Sequence, residues 1–551
     1  MITNYFKPLD NNYKDKHSDS KWKKINVNEP KDFVDININF HEDKIINIPS
    51  HCSTELDFFK LIFTDELFEN IAKGTNSYVD LCKKKFEEQM EIEKEEYLNE
   101  NPDVEAQQKY LEDFENIRDK NTNMISKYSN VYVNDIEDYF AALIFMGLYR
   151  LPNYRDHWSN DILLGSPCKN IIGIWKFECL QKFIHTYPAD SVGKNKILPL
   201  TKEILKNSRK YYIPSTFVSI DERIISFRGR DQNLVYEPLK PTKYGYFNII
   251  LSDNKSGFTY AQILLDDYNK ETNDNANEGK MFNAVKQLMN FLPKKFLDKD
   301  KFILVCDGLY TSEELMGERD FFTLGAIRGN RIKGENKKDI ISNINEGESV
   351  IYKKCIKGNE STLVKFHDNK QFYIISNYIK KIFQIRIKSW STKYKNWIHK
   401  NIPNAVNEYR KNMKGVDISN QFISYYELNF RTVRWWKRIF NEHIDVAIIN
   451  SLCLFKKSGN LNITQKTYRL NLIKAIMMKN HPFKFVNNVK LDNLHLIKAD
   501  NSGSRHNCKY CSERKSYVTN KCPTSKYYCN KCKIFLCVDC FYNYHEKIFN
   551  S

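Results

Sequence analysis

The residues of this chain that could do chemistry fall into a dense cysteine group, a scattered acidic group and a basic, aromatic cluster. Seven of the 14 cysteines lie in the last 44 residues, namely Cys508, Cys511, Cys522, Cys529, Cys532, Cys537 and Cys540, and His545 follows them. Three pairs have the C-x-x-C spacing, which lets two thiolates reach one metal from a single tight turn, and tetrahedral Zn²⁺ takes four such ligands. Seven thiols and one imidazole are enough for two closed, structural Zn²⁺ sites. A cross-braced pairing would join Cys508 and Cys511 to Cys537 and Cys540, leaving Cys529, Cys532 and His545, with Cys522 as a further candidate, for the second ion. The alternative, a disulfide framework, is at odds with a chain expected to work inside the cell. Zinc here would hold up a segment too small to build its own core, and binding energies of roughly 10–16 kcal/mol suffice for that.

The scattered group is acidic. Asp221 follows the strand-like run Thr216–Ile220, and Asp307 follows the continuous apolar run Phe302–Cys306. Function collects at the carboxyl ends of strands in open α/β sheets, and converging carboxylates suit hard divalent cations acting on phosphodiesters. A single Asp after a strand is more often a turn former. A third cluster is basic and aromatic. Between Arg410 and Arg438 stand Arg410, Lys411, Lys414, Arg431, Arg434, Lys437 and Arg438 against Asp417 and Glu427, with Trp435 and Trp436 among them. Cations neutralise phosphates, and an aromatic face stacks on an unpaired base for about 1–3 kcal/mol. Trp436 reads as core; Trp435 fits either role. Arg228, Arg230, Lys240 and Lys243, beyond the first Asp, are candidate phosphate contacts or a solvated turn.

The elements that must position these groups can be read coarsely. Residues 1–52 are polar, lack a signal-peptide pattern and are expected to be disordered. Residues 53–214 carry helical apolar spacing, interrupted at 87–119 by 13 acidic and 3 basic side chains, a net of −10. This reads as a solvated helix face or loop, or as a tethered acidic segment that competes with DNA for a basic surface. Strand patterns begin at Ser215 and mix with a crossing helix up to 333, implying a mixed α/β sheet. Residues 334–402 alternate charged and β-branched side chains and are expected to form a separate β-rich insertion. The α/β core would resume over 403–426, helices over 427–489, a linker over 490–505 and the cysteine-rich module over 506–546.

Composition bounds the function. The chain has 551 residues, 41% of them apolar, and a formal net charge of 85 − 68 = +17, which rise to +27 outside the acidic segment. A wholly disordered or collagenous chain is excluded. The basic balance favours a polyanionic partner, nucleic acid first and an acidic membrane surface second. The longest apolar stretch, Phe140–Tyr149, is half the ~20 residues a bilayer requires, so a soluble intracellular protein is expected.

Several motifs, taken in order, resemble the piggyBac-type DDE transposases. They are SIDERIISFRGR (Ser219–Arg230), KPTKYG (Lys240–Gly245), VCDGLYTS (Val305–Ser312), AIRGNR (Ala326–Arg331), YRKNMKGVDISNQF (Tyr409–Phe422) and RTVRWWKRIF (Arg431–Phe440). Upstream LDFFKLIFTDELFENI and YFAALIFMGLYRLPNYRDHWS, and the tail ending LCVDCFYNYH, extend the resemblance over roughly residues 53–546. It implies an α/β fold with an RNase H-like catalytic core, split by a β-rich insertion and flanked by an all-α dimerisation and DNA-binding domain and a cross-braced zinc module. It assigns Asp221, Asp307 and Asp417 as catalytic carboxylates holding two Mg²⁺ or Mn²⁺ ions. Arg328 and Arg331 join the candidate DNA contacts, and Trp435 matches a tryptophan that meets hairpin-end DNA.

The implied activity is cut-and-paste transposition through nicking, hairpin formation and strand transfer at TTAA targets, by a homodimer or larger assembly on double-stranded DNA in the nucleus. Lys21, Lys23, Lys24 and the basic tail are candidate import signals. The chain departs from the pattern at Asn420, where many members carry a fourth Asp that can hold metal, and at Gly308, where Asn is commoner. Two other readings are a domesticated, DNA-binding chromatin protein without transposition activity and, less fitting in its cysteine intervals, a RING-type ligase. The three intact acids favour the transposase.

Overall fold

The computed structural model describes the chain except residues 1–18, 26–39, 122, 165, 265–276, 294–300, 392–394, 429, 483–496, 501, 515–521, 539, 542–543 and 546–551. It divides into two units, Met1–Ile476 and Met477–Ser551. No described helix is long and apolar enough to cross a membrane.

The first helix of the first unit, Glu55–Ile62, is started by a capping box in which the Thr54 side chain accepts from the Asp57 amide and Asp57 accepts from Thr54. Such reciprocal caps satisfy donors that the first helical turn leaves free. Phe63, Phe68 and Phe140 then pack ring against ring at 4.9–5.2 Å, tying this helix and the next to the helix Val133–Leu148. The central strut is Trp435–Lys457. Every residue from Trp436 to Phe455 is buried, and a helix enclosed on all sides has no solvent stripe on which to keep its charges.

The acidic segment is helical. It forms the outer half of Asp65–Glu100 and most of Val104–Asn121, and Tyr97 stacks on Tyr110 at 3.7 Å between the two. A helix of 36 residues is about 54 Å long. Its first half buries Leu67, Phe68, Ile71 and Val79, while the acid-rich half is mostly exposed.

The sheet follows from strands β1 (Lys23–Ile25), β2 (Lys44–Ile45), β3 (Tyr212–Ile213), β4 (Phe217–Ser226), β5 (Val235–Tyr236), β6 (Tyr244–Asp253), β7 (Thr259–Leu264), β8 (Ile303–Cys306) and β9 (Phe322–Ile327). The insertion adds β10 (Ser349–Ile356), β11 (Asn359–His367), β12 (Gln371–Ser376), β13 (Gln384–Ser391) and β14 (Asn396–Pro403). Ten strands share one sheet in the order β1-β10-β11-β12-β9-β8-β4-β6-β5, with β7 also on β6. β4, β8 and β9 run parallel, and the other pairings are antiparallel. β8 is buried at all four residues, as a continuous apolar run requires of a central parallel strand.

Two expectations change. The strands at 349–376 are not a separate body, because β12 pairs with β9 and extends the same sheet; of the insertion's described strands, β13 and β14 form a two-stranded ribbon of their own. Of residues 1–52, those at 1–18 and 26–39 lie outside the described residues, but Trp22 is buried and donates through Nε1 to Glu313 and the Lys333 carbonyl, while β1 pairs with β10 and β2 with β3. A lone Trp amid Asn and Lys gave no periodicity to find. Half of the 490–505 linker lies outside the described residues.

Candidate functional site

Asp221 does not end its strand; β4 continues to Ser226, and what ends beside Asp221 is β8. Ile220 is in register with Cys306, so Asp221 and Asp307 stand one step further along two adjacent parallel strands. Asp307 then turns out of the sheet, its Oδ1 accepting from the Leu309 amide at 2.8 Å. Arg331 holds this turn by donating to the carbonyls of Gly308 (2.9 Å), Leu309 (2.6 Å) and Thr311 (3.3 Å). Arg331 is thus a brace rather than a free phosphate contact. At Gly308 a Cβ would come within 3.2 Å of Arg328 Cγ, so the usual Asn would press on that side chain.

Glu222 and Lys240 complete the acid centre, and pattern reading had not placed Glu222 there. Lys240 Nζ lies 2.6 Å from Glu222 Oε1, and Tyr310 donates its hydroxyl to Glu222 Oε2 at 3.2 Å. Lys240 is therefore an ion-pair partner inside the centre. Burial, reinforced by the neighbouring Glu222, pushes the Asp221 carboxyl well above the usual carboxylate range. Burial also raises Asp307, with Glu222 adding to it. Glu222 goes the other way: burial opposes its charge, but its hydrogen bond with Asp221 and its pair with Lys240 hold it low. Crowded carboxylates with raised proton affinity are groups that a cation would stabilise.

Asp417 comes from a different element, the helix Gly415–Tyr425. That helix can rest against β4 because its first residue has no side chain: a Cβ at Gly415 would meet Ser219 Oγ at 2.5 Å and the Asp253 carbonyl at 2.8 Å. Ser219 Oγ accepts from the Val416 amide at 3.2 Å, and Asn254 Oδ1 accepts from the Gly415 amide at 3.1 Å. The turn between β6 and β7 approaches as closely. Gly257 has φ +70 and a Cβ there would meet Ile418 Cγ2 at 2.7 Å, so both its conformation and its contact favour glycine.

Asn420 is not turned toward metal. Its Oδ1 accepts from Arg223 Nε at 2.6 Å, and its Nδ2 donates to the Glu222 carbonyl at 3.4 Å. Arg223, buried, also donates to Ser419 Oγ and to Glu442 Oε1, each at 2.6 Å. One guanidinium thus ties β4, the Asp417 helix and the Trp435–Lys457 strut together. Asp417 itself is exposed and lines a cavity of about 390 Å³ with Glu222, Lys240 and Asn420. Among the described residues, the three aspartates do not bring ligand atoms within 4.8 Å of one another.

The basic candidates separate by burial. Arg228, Arg230, Lys243, Arg328, Lys414 and Arg431 are exposed; Arg228 and Lys243 line a depression of about 870 Å³, and Arg228 and Arg431 one of about 570 Å³. Arg438 is instead 2% exposed, donates to the Ser226 carbonyl at 2.8 Å and pairs with Glu427. Lys437 is buried against the Gln181 carbonyl, and burial pulls its ammonium down to about 7. Arg434 donates to the Lys182 carbonyl at 2.7 Å and lies over Tyr78. These three cations sit on the enclosed strut or at its start, so their place in the fold overrides the sequence reading. Trp435 lines a cavity of about 360 Å³ with Lys194, Asn195, Asn233 and Tyr246, whereas Trp436 is buried against His185 and Phe440. Lys23 and Lys24 lie in β1, and Lys21 pairs with Glu335 at 3.0 Å.

In the second unit, Cys508, Cys511, Cys537 and Cys540 form one group of ligand atoms within 4.8 Å, and Cys529, Cys532 and His545 form another. This is the cross-braced arrangement. Cys511 Sγ lies 3.8 Å from Cys537 Sγ and 3.4 Å from Cys540 Sγ; thiolates 2.3 Å from a tetrahedral ion would be about 3.8 Å apart. Burial and neighbouring thiols push Cys511 up to about 11, so the unneutralised group resists full ionisation. His545 Nδ1 faces the Phe541 carbonyl at 2.7 Å, leaving Nε2 toward Cys532 at 3.7 Å, an arrangement that fixes a ligating tautomer. Cys522 belongs to neither group; its thiol points at the carbonyls of Cys508 and Pro523. Lys515, Lys521 and Lys547 of the basic tail lie outside the described residues.

A family model described as transposase IS4 matches residues 54–452. The human PiggyBac transposable element-derived protein 3 is 20% identical over 464 residues, covering 77% of this chain and 74% of that protein. The human chimeric ERCC6-PGBD3 protein is equally similar, and the chain spans 41% of its length. Among solved structures, a piggyBac transposase in a synaptic complex with hairpin DNA, determined by cryo-EM, has a TM-score of 0.58 at 19% identity, covering 91% of this chain and 98% of that one.

Proposed function

The chain belongs to the transposase IS4 family, in its piggyBac-type branch, and on that premise we propose that it cuts and joins DNA strands by metal-dependent phosphoryl transfer at Asp221, Asp307 and Asp417. The observation that carries the reading is the convergence of Asp221 and Asp307 on adjacent parallel strands, with the Asp417 helix seated on the same strand through Gly415. The order β7-β6-β4-β8-β9, antiparallel on one side of β4 and parallel on the other, supports an RNase H-like core.

Oxygen donors of this kind fit Mg²⁺ or Mn²⁺, and the raised Asp221 and Asp307 carboxyls favour a cation between them. Bound there, such ions would stabilise the attacking and leaving oxygens of an in-line displacement. The chain's own residues do the placing. Arg331 braces the turn that presents Asp307, Arg223 and Ser219 hold the Asp417 helix, and Lys240 balances Glu222. Arg228, Arg230, Lys243, Arg328, Lys414 and Arg431 offer phosphate contacts, and Trp435 lines a cavity suited to an unpaired base. The two ligand groups of the tail are read as structural Zn²⁺ sites on their thiolate and imidazole donors. A homodimeric or larger assembly on paired DNA ends, TTAA targets and a nuclear address complete the proposal.

A domesticated DNA-binding role is the second reading. It is favoured by the three aspartates not forming one close ligand group among the described residues and by the Asn420 amide, which is committed to Arg223. The deciding experiment incubates the protein and its Asp307→Ala variant with Mg²⁺ and a plasmid carrying the ends of the element that encodes it. Double-strand excision by the wild type alone is expected; excision by neither leaves only the binding role.

A further inference from the structure

The ribbon β13–β14 stands apart from the ten-stranded sheet and has two unlike faces. Inward, Ile385 and Ile387 pack against the cluster that includes Ile402, Ala405 and Tyr409. Outward, Arg386, Lys388 and Trp390 on one strand face Asn401, His399 and Trp397 on the other, in register, and all six are exposed. Trp390 and Trp397 are 51% and 54% exposed and touch edge to face at 5.8 Å. Lys388 Nζ sits 5.6 Å over the Trp397 ring. From Gln384 to Pro403 there are five Lys and Arg residues and no acid. On the inward side Lys400 is already paired with Asp368 at 2.9 Å.

Two adjacent tryptophans held in water are unfavourable for a face with no partner. A partner for this face must tolerate several positive charges while covering flat aromatic surface. Duplex DNA does both: its major groove admits a two-stranded antiparallel ribbon, its phosphates flank that ribbon with negative charge, and its thymine methyl groups offer apolar contact there. A second protein surface would have to supply compensating acids. We propose that the outer face of this ribbon is a second DNA-binding surface, in which Arg386 and Lys388 contact the backbone and the Trp390–Trp397 pair packs against bases or sugars. It is separate from the acid centre and from the Arg228–Arg431 depressions. The inference extends the DNA-processing reading but needs only DNA binding, not cleavage.

The test measures binding of the full chain to a fluorescein-labelled duplex of random sequence by fluorescence anisotropy at several salt concentrations. Arg386→Gln with Lys388→Gln should lower the slope of log affinity against log salt by about 2, since each lost phosphate contact removes ~0.9. Trp390→Ala with Trp397→Ala should weaken binding roughly tenfold, in keeping with stacking losses. All four residues are exposed, so both variants should melt as the wild type does. Wild-type affinity and slope in both variants would overturn the proposal. So would loss of self-association with DNA affinity intact, which would assign the face to a second copy of this chain. A protein that fails to excise its element but shows the two binding losses would overturn the catalytic reading alone.

Discussion

The cysteine-rich unit and the acid centre are both places where a metal would sit, but they are built in opposite ways. In the tail the ligands come from Cys508 to His545, and the described unit has little else to pack: its core is Cys508, Tyr510, Leu536 and Tyr544. In the acid centre the aspartates come from positions 221, 307 and 417, and strands and hydrogen bonds from the large sheet place them. Metal bound to its candidate ligands would hold up the first fold, whereas the fold holds up the groups in the second.

This difference predicts what metal removal does. Chelating zinc, or changing Cys529 and Cys532 to Ser, should remove roughly 10–16 kcal/mol of folding free energy from the tail. Hydrogen exchange should then show the tail unprotected and the sheet unchanged; a zinc content below about 1.5 ions per chain would break the comparison on the tail side. In the core, Asp307→Ala should lower strand cleavage by about a thousandfold or more without lowering the melting temperature. Unfolding of the variant would show that the acid centre, too, depends on its ligands.

Smaller effects sharpen the view of the scaffold. Arg223→Met leaves Glu442 buried without its cation, and breaking such a pair costs about 3–5 kcal/mol, to be read as a shift in urea midpoint. Gly415→Ala forces the Asp417 helix away from Ser219 and Asp253, a steric change of about 1–3 kcal/mol; its activity should fall further than its stability does. Lys437→Met should stabilise by on the order of 1 kcal/mol and leave DNA affinity unchanged. The sign follows from linkage: burial lowers the Lys437 ammonium to about 7, so the unfolded chain binds that proton more tightly. The wild type therefore loses stability as pH falls from about 10 toward 7, and the variant's advantage in thermal melts should widen over that window.

Much of the site was legible in sequence because its signals are local. The C-x-x-C pairs mark candidate ligands, and Phe302–Cys306 marks a buried strand leading to Asp307. Asp417 came only from resemblance, since an Asp near a helix start has many other uses. Glu222, Ser219 and Asn254 were missed because nothing in their own neighbourhoods marks them; Ser219 meets Val416 across 197 positions. The basic run at 431–438 misled for the same reason. Charge density is a property of sequence, but exposure is not, and the strut buries Lys437 and Arg438 while leaving Arg431 outside.

By itself, then, the sequence determined the metal-ligand types, the order of motifs that places the chain in its family, and an excess of positive charge suited to a polyanion. Tertiary structure alone decided which cations remain available to a partner and which hold the interior, that Asn420 serves Arg223, and that the insertion's strands extend the main sheet while its ribbon stands apart. Ligand spacing and apolar runs act within a few residues of chain. Burial and pairing depend on which distant segment arrives, and that is settled only when the sheet and the central helix close around them.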